Sequence, residues 1–192
     1  MKLVFDSCPA FLVNVNPRSE LHGEERKPAG DVTLRVNVPN KMLDTFHETL
    51  KHALFFHDTE NPKNDLADKA MEGRPDHIPH LRFNALGLPL KWNDQMFGAT
   101  LTIHRGGGDI VLPDVRVNKV EFTPKAGGTV ELEFRVQGHP DEAAFGRLCG
   151  SGIIQTEVLM SLKPDTHKPP EQGTLPGTEP GAQAQLSGAA TS

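Results

Sequence analysis

Apolar and polar residues alternate with period two in several segments between residues 1 and 162, the signature of strands with one buried and one wet face. The clearest segment runs from Thr129 to Gln137, where Val130, Leu132, Phe134 and Val136 share one face and Glu131, Glu133 and Arg135 the other. Val32, Leu34, Val36 and Val38 repeat the pattern, as do Leu101 with Ile103 and the series Ile154, Thr156, Val158, Met160 and Leu162. Phe11, Val13 and Val15 make a shorter version. Between Val115 and Phe122 the phase breaks, because Val115 and Val117 would face away from Val120 and Phe122 in a regular strand. A bulge near Asn118 and Lys119 returns all four to the core. Pro124-Lys125-Ala126-Gly127-Gly128 then offers turn residues for a hairpin into the 129 strand.

The period changes in two places. Leu43, Phe46, Leu50, Ala53 and Leu54 recur at three- and four-residue spacing after Pro39 and Asn40, which predicts a helix from an Asn40 N-cap to about Phe55. A second helix is predicted from Pro140, with Asp141 and Glu142 in its first turn, Ala144, Phe145 and Leu148 on its buried face, and Gly150 and Gly152 at its end. Strands, helix, meander, helix and strand in that order define an α+β fold, mainly an antiparallel sheet arranged as a meander or a sandwich, with two helices. Residues 16–30 and 57–80 are polar and rich in Pro, Gly, Asp and Asn, and no element is assigned to them beyond a helical turn over Leu66 to Met71.

Composition sets the domain limits. Residues 163–192 carry Leu175 and Leu186 as their only large apolar side chains. Such a stretch buries too little apolar surface to offset roughly 1–2 kcal/mol of backbone entropy per residue, so a disordered tail is expected there and a single domain over 1–162. The chain has a net charge of −5, and the tail holds two lysines against three acids, so the acidity belongs mainly to the domain. General attraction to a phosphate backbone is thereby excluded, and any nucleic-acid contact must come from a local face. No apolar run reaches the roughly 20 residues of a membrane span, which with the acidic start at Asp6 points to the cytoplasm.

Candidate chemistry is sparse, and no catalytic residue and no cofactor are assigned. His47 and His52 sit five residues apart, which turns their rings about 140° from one another round a helix. His77 and His80 flank Ile78-Pro79 and could form part of a loop-borne metal site for a hydrolase, but no complete ligand set accompanies them. His104-Arg105-Gly106-Gly107-Gly108-Asp109 lacks the following helix and Gly-Lys-Ser/Thr of a phosphate loop and reads as a hairpin tip, with His104 and Arg105 as contact residues. Cys149, between Leu148 and Gly150, reads as a small buried hydrophobe. Glu131 and Glu133 lie on the wet face of their strand, an ordinary solvated surface. No Gly-x-Ser-x-Gly elbow is present.

Binding is better supported than catalysis. The chain has one Trp, no Tyr and 10 Phe, most of the Phe at core positions. Trp92, beside Lys91, stands out, and with Arg82, Arg105, Arg116 and Lys119 it is expected to form a modest basic-aromatic face suited to nucleic acid. The competing expectation is that Trp92 packs against the edge of the sheet.

The runs Leu81-Arg82-Phe83 to Leu88-Pro89-Leu90-Lys91-Trp92, Gly98 to Ile103, Gly127-Gly128-Thr129-Val130, and Phe134-Arg135-Val136-Gln137 to His139-Pro140-Asp141-Glu142 resemble small proteins encoded by bacteriophages and prophages. The resemblance covers the C-terminal half of the domain and carries over no catalytic residues. It implies an accessory protein of phage DNA metabolism or host takeover. Its partner would be nucleic acid or, alternatively, a host defence or replication protein that it inhibits.

Overall fold

The computed structural model describes residues 1–22, 24–57, 78–84, 89–150 and 152–165. The elements in chain order are β1 (Phe5–His22), β2 (Glu25–Pro39), a 3-10 turn (Asn40–Thr45), α1 (Leu50–Leu54), β3 (Phe55–Phe56), β4 (His80–Leu81), β5 (Leu90–Trp92), β6 (Met96–His104), β7 (Ile110–Lys125), β8 (Thr129–Gly138), α2 (Glu142–Gly150) and β9 (Thr156–Pro164).

The expected meander or sandwich is corrected to a barrel. Six antiparallel strands run in the order β7-β6-β9-β1-β2-β8, and β8 pairs back onto β7, so the sheet closes. Strand β5 is added outside the ring, on the edge of β7 where β6 ends, through Leu90 opposite Phe122 and Trp92 opposite Val120. The protein is therefore mostly β rather than α+β. Closure follows from the length of β7: its first half pairs with β6 from Ile110 to Val117, and its second half with β8 from Arg116 to Lys125. One long strand thus gives each edge to a different neighbour, and closure leaves no open edge on the ring.

Alternation fills the barrel. Val32, Leu34, Val36 and Val38 of β2 and Val130, Leu132, Phe134 and Val136 of β8 all point inward, with Phe5 stacked on Phe134 at 5.7 Å between ring centroids. The residues between them carry ion pairs on the outer surface, such as Arg35 with Glu133 and Lys125 with Glu131. Apolar inside and charged outside is the reverse of a barrel that faces lipid. No helix among the described residues is long and apolar enough to cross a membrane.

The bulge expected near Asn118 is present: Lys119 and Val120 together oppose Phe134, Lys119 has φ +49°, and Val115, Val117, Val120 and Phe122 are all buried. The hairpin at 124–128 also forms, with Gly127 and Gly128 at positive φ. Other expectations need revision. The polar stretch 16–30 is not a loop, because residues 16–22 and 25–31 extend the β1–β2 hairpin in unbroken register. The short pattern near the start has the other phase: Leu12 is fully buried, a bulge follows between Leu12 and Asn14, and Val15 then returns to the core while Phe11 and Val13 are half-buried.

The predicted helix over 40–55 breaks into the 3-10 turn and the five-residue α1. Asn40 does not cap it; its side chain donates to the carbonyl of Ile78 instead, and its backbone N–H to that of Gly128. That buried pair of bonds ties the segment across the barrel end and sets the direction in which it leaves β2. Helix α2 is capped by the Asp141 carboxylate, which accepts the backbone N–H of Ala144 at 2.6 Å, and it buries Ala144 and Leu148. Cys149 is exposed, not buried. Strand β9 begins at Thr156, after Ile154, and runs to Pro164, two residues past the expected domain limit. His77, Leu66 to Met71 and residues 166–192 of the tail lie outside the described residues.

Candidate nucleic-acid interface

Strands β5, β6, β7 and β8 meet where the β7 bulge lies, and the bulge decides what faces outward there. In a regular strand Arg116, Asn118 and Val120 would share the outer face. With Lys119 in the left-handed region, Asn118 is buried under its neighbours while Arg116 and Lys119 stand exposed. Register then places Asn118 opposite Arg135, and Arg135 donates from Nε to Asn118 Oδ1 at 2.9 Å. Asn118 also donates to Gln137 Oε1, whose amide donates to Asp31 Oδ1 at 3.0 Å. Asp31, on β2, is largely buried and also receives Arg18 at 2.9 Å and Arg135 at 3.4 Å. This network holds Arg135 in place without neutralising the cations beside it.

A concavity of about 350 Å³ opens next to the network, lined by Trp92, Asn93, Asp94, Gln95, Arg116, Asn118, Lys119 and Arg135. Its acid, Asp94, is engaged by the N-terminal ammonium of Met1 at 2.7 Å, which holds the carboxyl below its ordinary range with help from the backbone N–H of Gln95. Arg116, Lys119 and Arg135 line the concavity, with Arg135 already paired with Asp31 and Asp94 with the N-terminal ammonium. Trp92 packs its ring edge-on to Phe46 at 5.6 Å, and its indole Nε1 is buried with no hydrogen-bond partner among the described residues. A donor in that condition costs about 1–3 kcal/mol unless something accepts from it. At the start of β6, Phe97 is 66% exposed, and the Arg116 guanidinium lies over its ring at 5.4 Å from the centroid. Gly98, at φ +63°, supplies the local irregularity that releases Phe97 from the inward-outward alternation of β6.

Of the seven binding residues expected from the sequence, the structure brings together Trp92, Arg116 and Lys119. Trp92 packs its ring at the sheet edge, as the competing expectation held, and it also borders the concavity. The other four lie elsewhere. Lys91 points away from Trp92 along β5 and pairs with Glu121 at 3.6 Å. Arg82 packs over Phe56 at 5.8 Å and donates to the carbonyl of His52 at 3.2 Å, near the β3–β4 pair. His104 and Arg105 occupy the far end of β6, at the β6–β7 turn. Phe97, Arg135 and Asn118 were missed by sequence reasoning. Arg135 was legible as outward-facing, but its convergence with Arg116 depends on a register that only the closed barrel supplies. Phe97 was hidden by the assumption that the phenylalanines belong to the core, and Phe83 is likewise exposed.

No group of three or more His, Cys, Asp or Glu side chains able to hold a metal occurs among the described residues. His80 packs its ring 5.6 Å from Phe56. Fold and surface together define a closed six-stranded antiparallel barrel with a cationic, aromatic-rimmed concavity. Comparison with family models, with curated proteins and with solved structures finds no match to this chain.

Proposed function

We propose that the protein is an accessory binding protein of nucleic-acid metabolism, of the phage type its sequence resembles, and that it holds single-stranded nucleic acid on the Phe97–Arg116–Lys119–Arg135 face. The observation that carries this reading is Phe97, an aromatic ring left open to solvent with Arg116 over it, beside a concavity lined by cations. An unpaired base has a free face to stack on such a ring, whereas a base inside a duplex does not. Phosphates flanking the stacked base meet Arg116, Lys119 and Arg135. Single strands are therefore preferred to duplex. The acidity of the rest of the domain confines binding to this face and makes it sensitive to salt.

Trp92 is the single tryptophan of the chain and reports on the site directly. Titration with a short single-stranded oligonucleotide is expected to change its fluorescence, with affinity falling steeply as salt rises and a duplex of the same sequence binding more weakly. No fluorescence or anisotropy response to oligonucleotide at low salt would overturn the reading. A stable complex with a host protein that survives nuclease treatment, in protein that ignores oligonucleotide, would point instead to an inhibitor of that partner.

A further inference from the structure

At the opposite end of β6, about 23 Å along the strand from Phe97 by residue count, three side chains form a connected chain of hydrogen bonds. His104 Nε2 lies 2.8 Å from Ser161 Oγ, and His104 Nδ1 lies 3.0 Å from Asp109 Oδ2. We propose that Ser161, His104 and Asp109 form a nucleophile, base and orienting acid, giving the protein a second, hydrolytic site for small carboxylic esters, independent of the nucleic-acid face.

The local structure explains how the three meet. His104 ends β6 and Asp109 precedes β7, so the Gly106-Gly107-Gly108 turn sets them side by side; Gly108, at φ +108°, donates its N–H to the carbonyl of Arg105 at 3.1 Å and closes the turn. The other oxygen of Asp109 accepts the backbone N–H of Arg105 at 3.3 Å, which fixes the carboxylate toward the ring. His104 and this N–H together hold the Asp109 carboxyl below its ordinary range. Ser161 comes from β9, where Thr102 opposes Ser161 and His104 opposes Leu159, so His104 and Ser161 are diagonal neighbours on the outer face. On the other side of β9, β1 carries a bulge in which Asp6 and Ser7 together oppose Ser161. Ser7 sits at φ +45°, and its backbone N–H donates to Ser161 Oγ at 2.9 Å. Bulges of this kind recur beside active sites, where they re-aim backbone groups.

These groups suit acyl transfer. With Asp109 accepting from Nδ1–H, Nε2 is left unprotonated and accepts the Ser161 proton. Ser161 Oγ attacks the ester carbonyl, its proton passes to Nε2, and the same proton then protonates the departing alkoxide. The acyl group remains on Oγ until water, deprotonated by Nε2, releases it as the carboxylic acid and restores the serine. The Ser7 N–H, 2.9 Å from Oγ, is a backbone donor beside the attacking atom. One such donor suits an ester better than an amide, whose poorer leaving group demands more stabilisation. Ser161 is only 6% exposed, so access suits a small acyl group. Asp6 also accepts from the Ser161 hydroxyl and competes with His104 for its proton. Lys163 pairs with Asp6 at 2.8 Å and engages that carboxylate, which leaves His104 as the acceptor that drives attack.

Diisopropyl fluorophosphate tests the nucleophile: Oγ bonds to phosphorus, fluoride leaves, and the proton passes to His104. The full-length protein is expected to gain one diisopropylphosphoryl group, mapped to Ser161 by peptide mass, and to hydrolyse p-nitrophenyl acetate. Labelling is expected to vanish in Ser161→Ala and to slow by about 100-fold or more in His104→Ala, the scale of a general base. Asp109→Asn is expected to slow it at least about tenfold. If His104→Ala fails to fold, the labelling rate of the wild type against pH decides: a sigmoid that levels off above the titration of one histidine supports the triad. Absence of an adduct on Ser161, a rate indifferent to His104, or a rate rising linearly with hydroxide would overturn it, as would ester hydrolysis unchanged in Ser161→Ala.

Discussion

Replacing Phe97 by Ala separates binding from stability on the nucleic-acid face. About one third of the Phe97 surface is covered, since 66% is exposed. Full burial of a Phe side chain is worth about 1.5–3 kcal/mol, so truncation forfeits about 0.5–1 kcal/mol of burial. Loss of the exposed contact with Arg116 adds about 0.5–1 kcal/mol. The domain therefore loses about 1–2 kcal/mol, a fall in Tm of a few degrees. That leaves it folded at 25 °C, so any change in affinity measured there belongs to the surface. Stacking of one base is worth about 1–3 kcal/mol, which predicts affinity for a short single-stranded oligonucleotide weaker by about 5- to 150-fold. The assay is fluorescence anisotropy of a labelled oligonucleotide at low salt, with circular dichroism melts of both proteins in the same buffer. Affinity preserved within twofold, alongside the expected fall in Tm, would show that Phe97 carries no base and would refute the stacking argument.

Three further outcomes follow from particular contacts. Replacing Arg116 by Gln is expected to reduce the slope of log affinity against log salt by about 0.7, the value for one phosphate contact on a single strand, measured by titration at several salt concentrations. Gly138→Ala puts a Cβ 2.9 Å from Val115 Cγ1 inside the barrel, and overpacking of that kind is expected to destabilise the domain by about 1–3 kcal/mol in urea unfolding. Asp109 has its pKa depressed by the His104 hydrogen bond, so its contribution to stability is present above about pH 3.9, the unfolded value, and is lost as pH falls through the lower folded value. Carbon-detected NMR titration is expected to show Asp109 titrating below an ordinary aspartate, and His104→Ala is expected to move it back up; an unchanged midpoint in that variant would disprove the coupling.

The strands were legible because their burial is one-sided. Val130 to Val136 and Val32 to Val38 alternate cleanly, and even the phase break at Asn118 announced its bulge, since four apolar residues could reach one core in no other way. Closure was not legible. It depends on β7 pairing with β6 over one half and β8 over the other, and nothing in the alternation of a single strand records which neighbour lies at each edge. The polar stretch 16–30 misled for a related reason: beyond Val15 the β1–β2 hairpin carries exposed or half-exposed residues such as Asn16, Pro17 and Ser19, so pairing there is upheld by backbone bonds and the Arg18–Asp31 contact with little apolar signal. The candidate sites followed the same rule. Trp92, Arg116 and Lys119 could be named as residue types, but their union with Arg135 and Phe97, like that of Ser161 with His104, is a matter of cross-strand register.

Three residues of the barrel strands that are not glycine, Ser7, Asp114 and Lys119, adopt positive φ inside bulges, and Ser7 and Lys119 each border one of the two proposed sites. A left-handed conformation costs an L-residue about 1–2 kcal/mol, while glycine there avoids the strain but loses about 0.5–1 kcal/mol through the freedom it gains when unfolded. Lys119→Gly should therefore stabilise the domain by about 0.5–1 kcal/mol. The same change deletes a cation from the concavity, so oligonucleotide affinity should fall and its salt slope flatten by about 0.7. Lys119→Asn, which tolerates the left-handed region and lacks the charge, should match the glycine variant in affinity while gaining less stability. Opposite signs for stability and binding are what a lysine kept in a strained position for its charge requires. If Lys119→Gly binds as tightly as the wild type, the lysine is not a phosphate contact; if it is also less stable, the bulge is held by packing of the lysine stem rather than strained by its backbone.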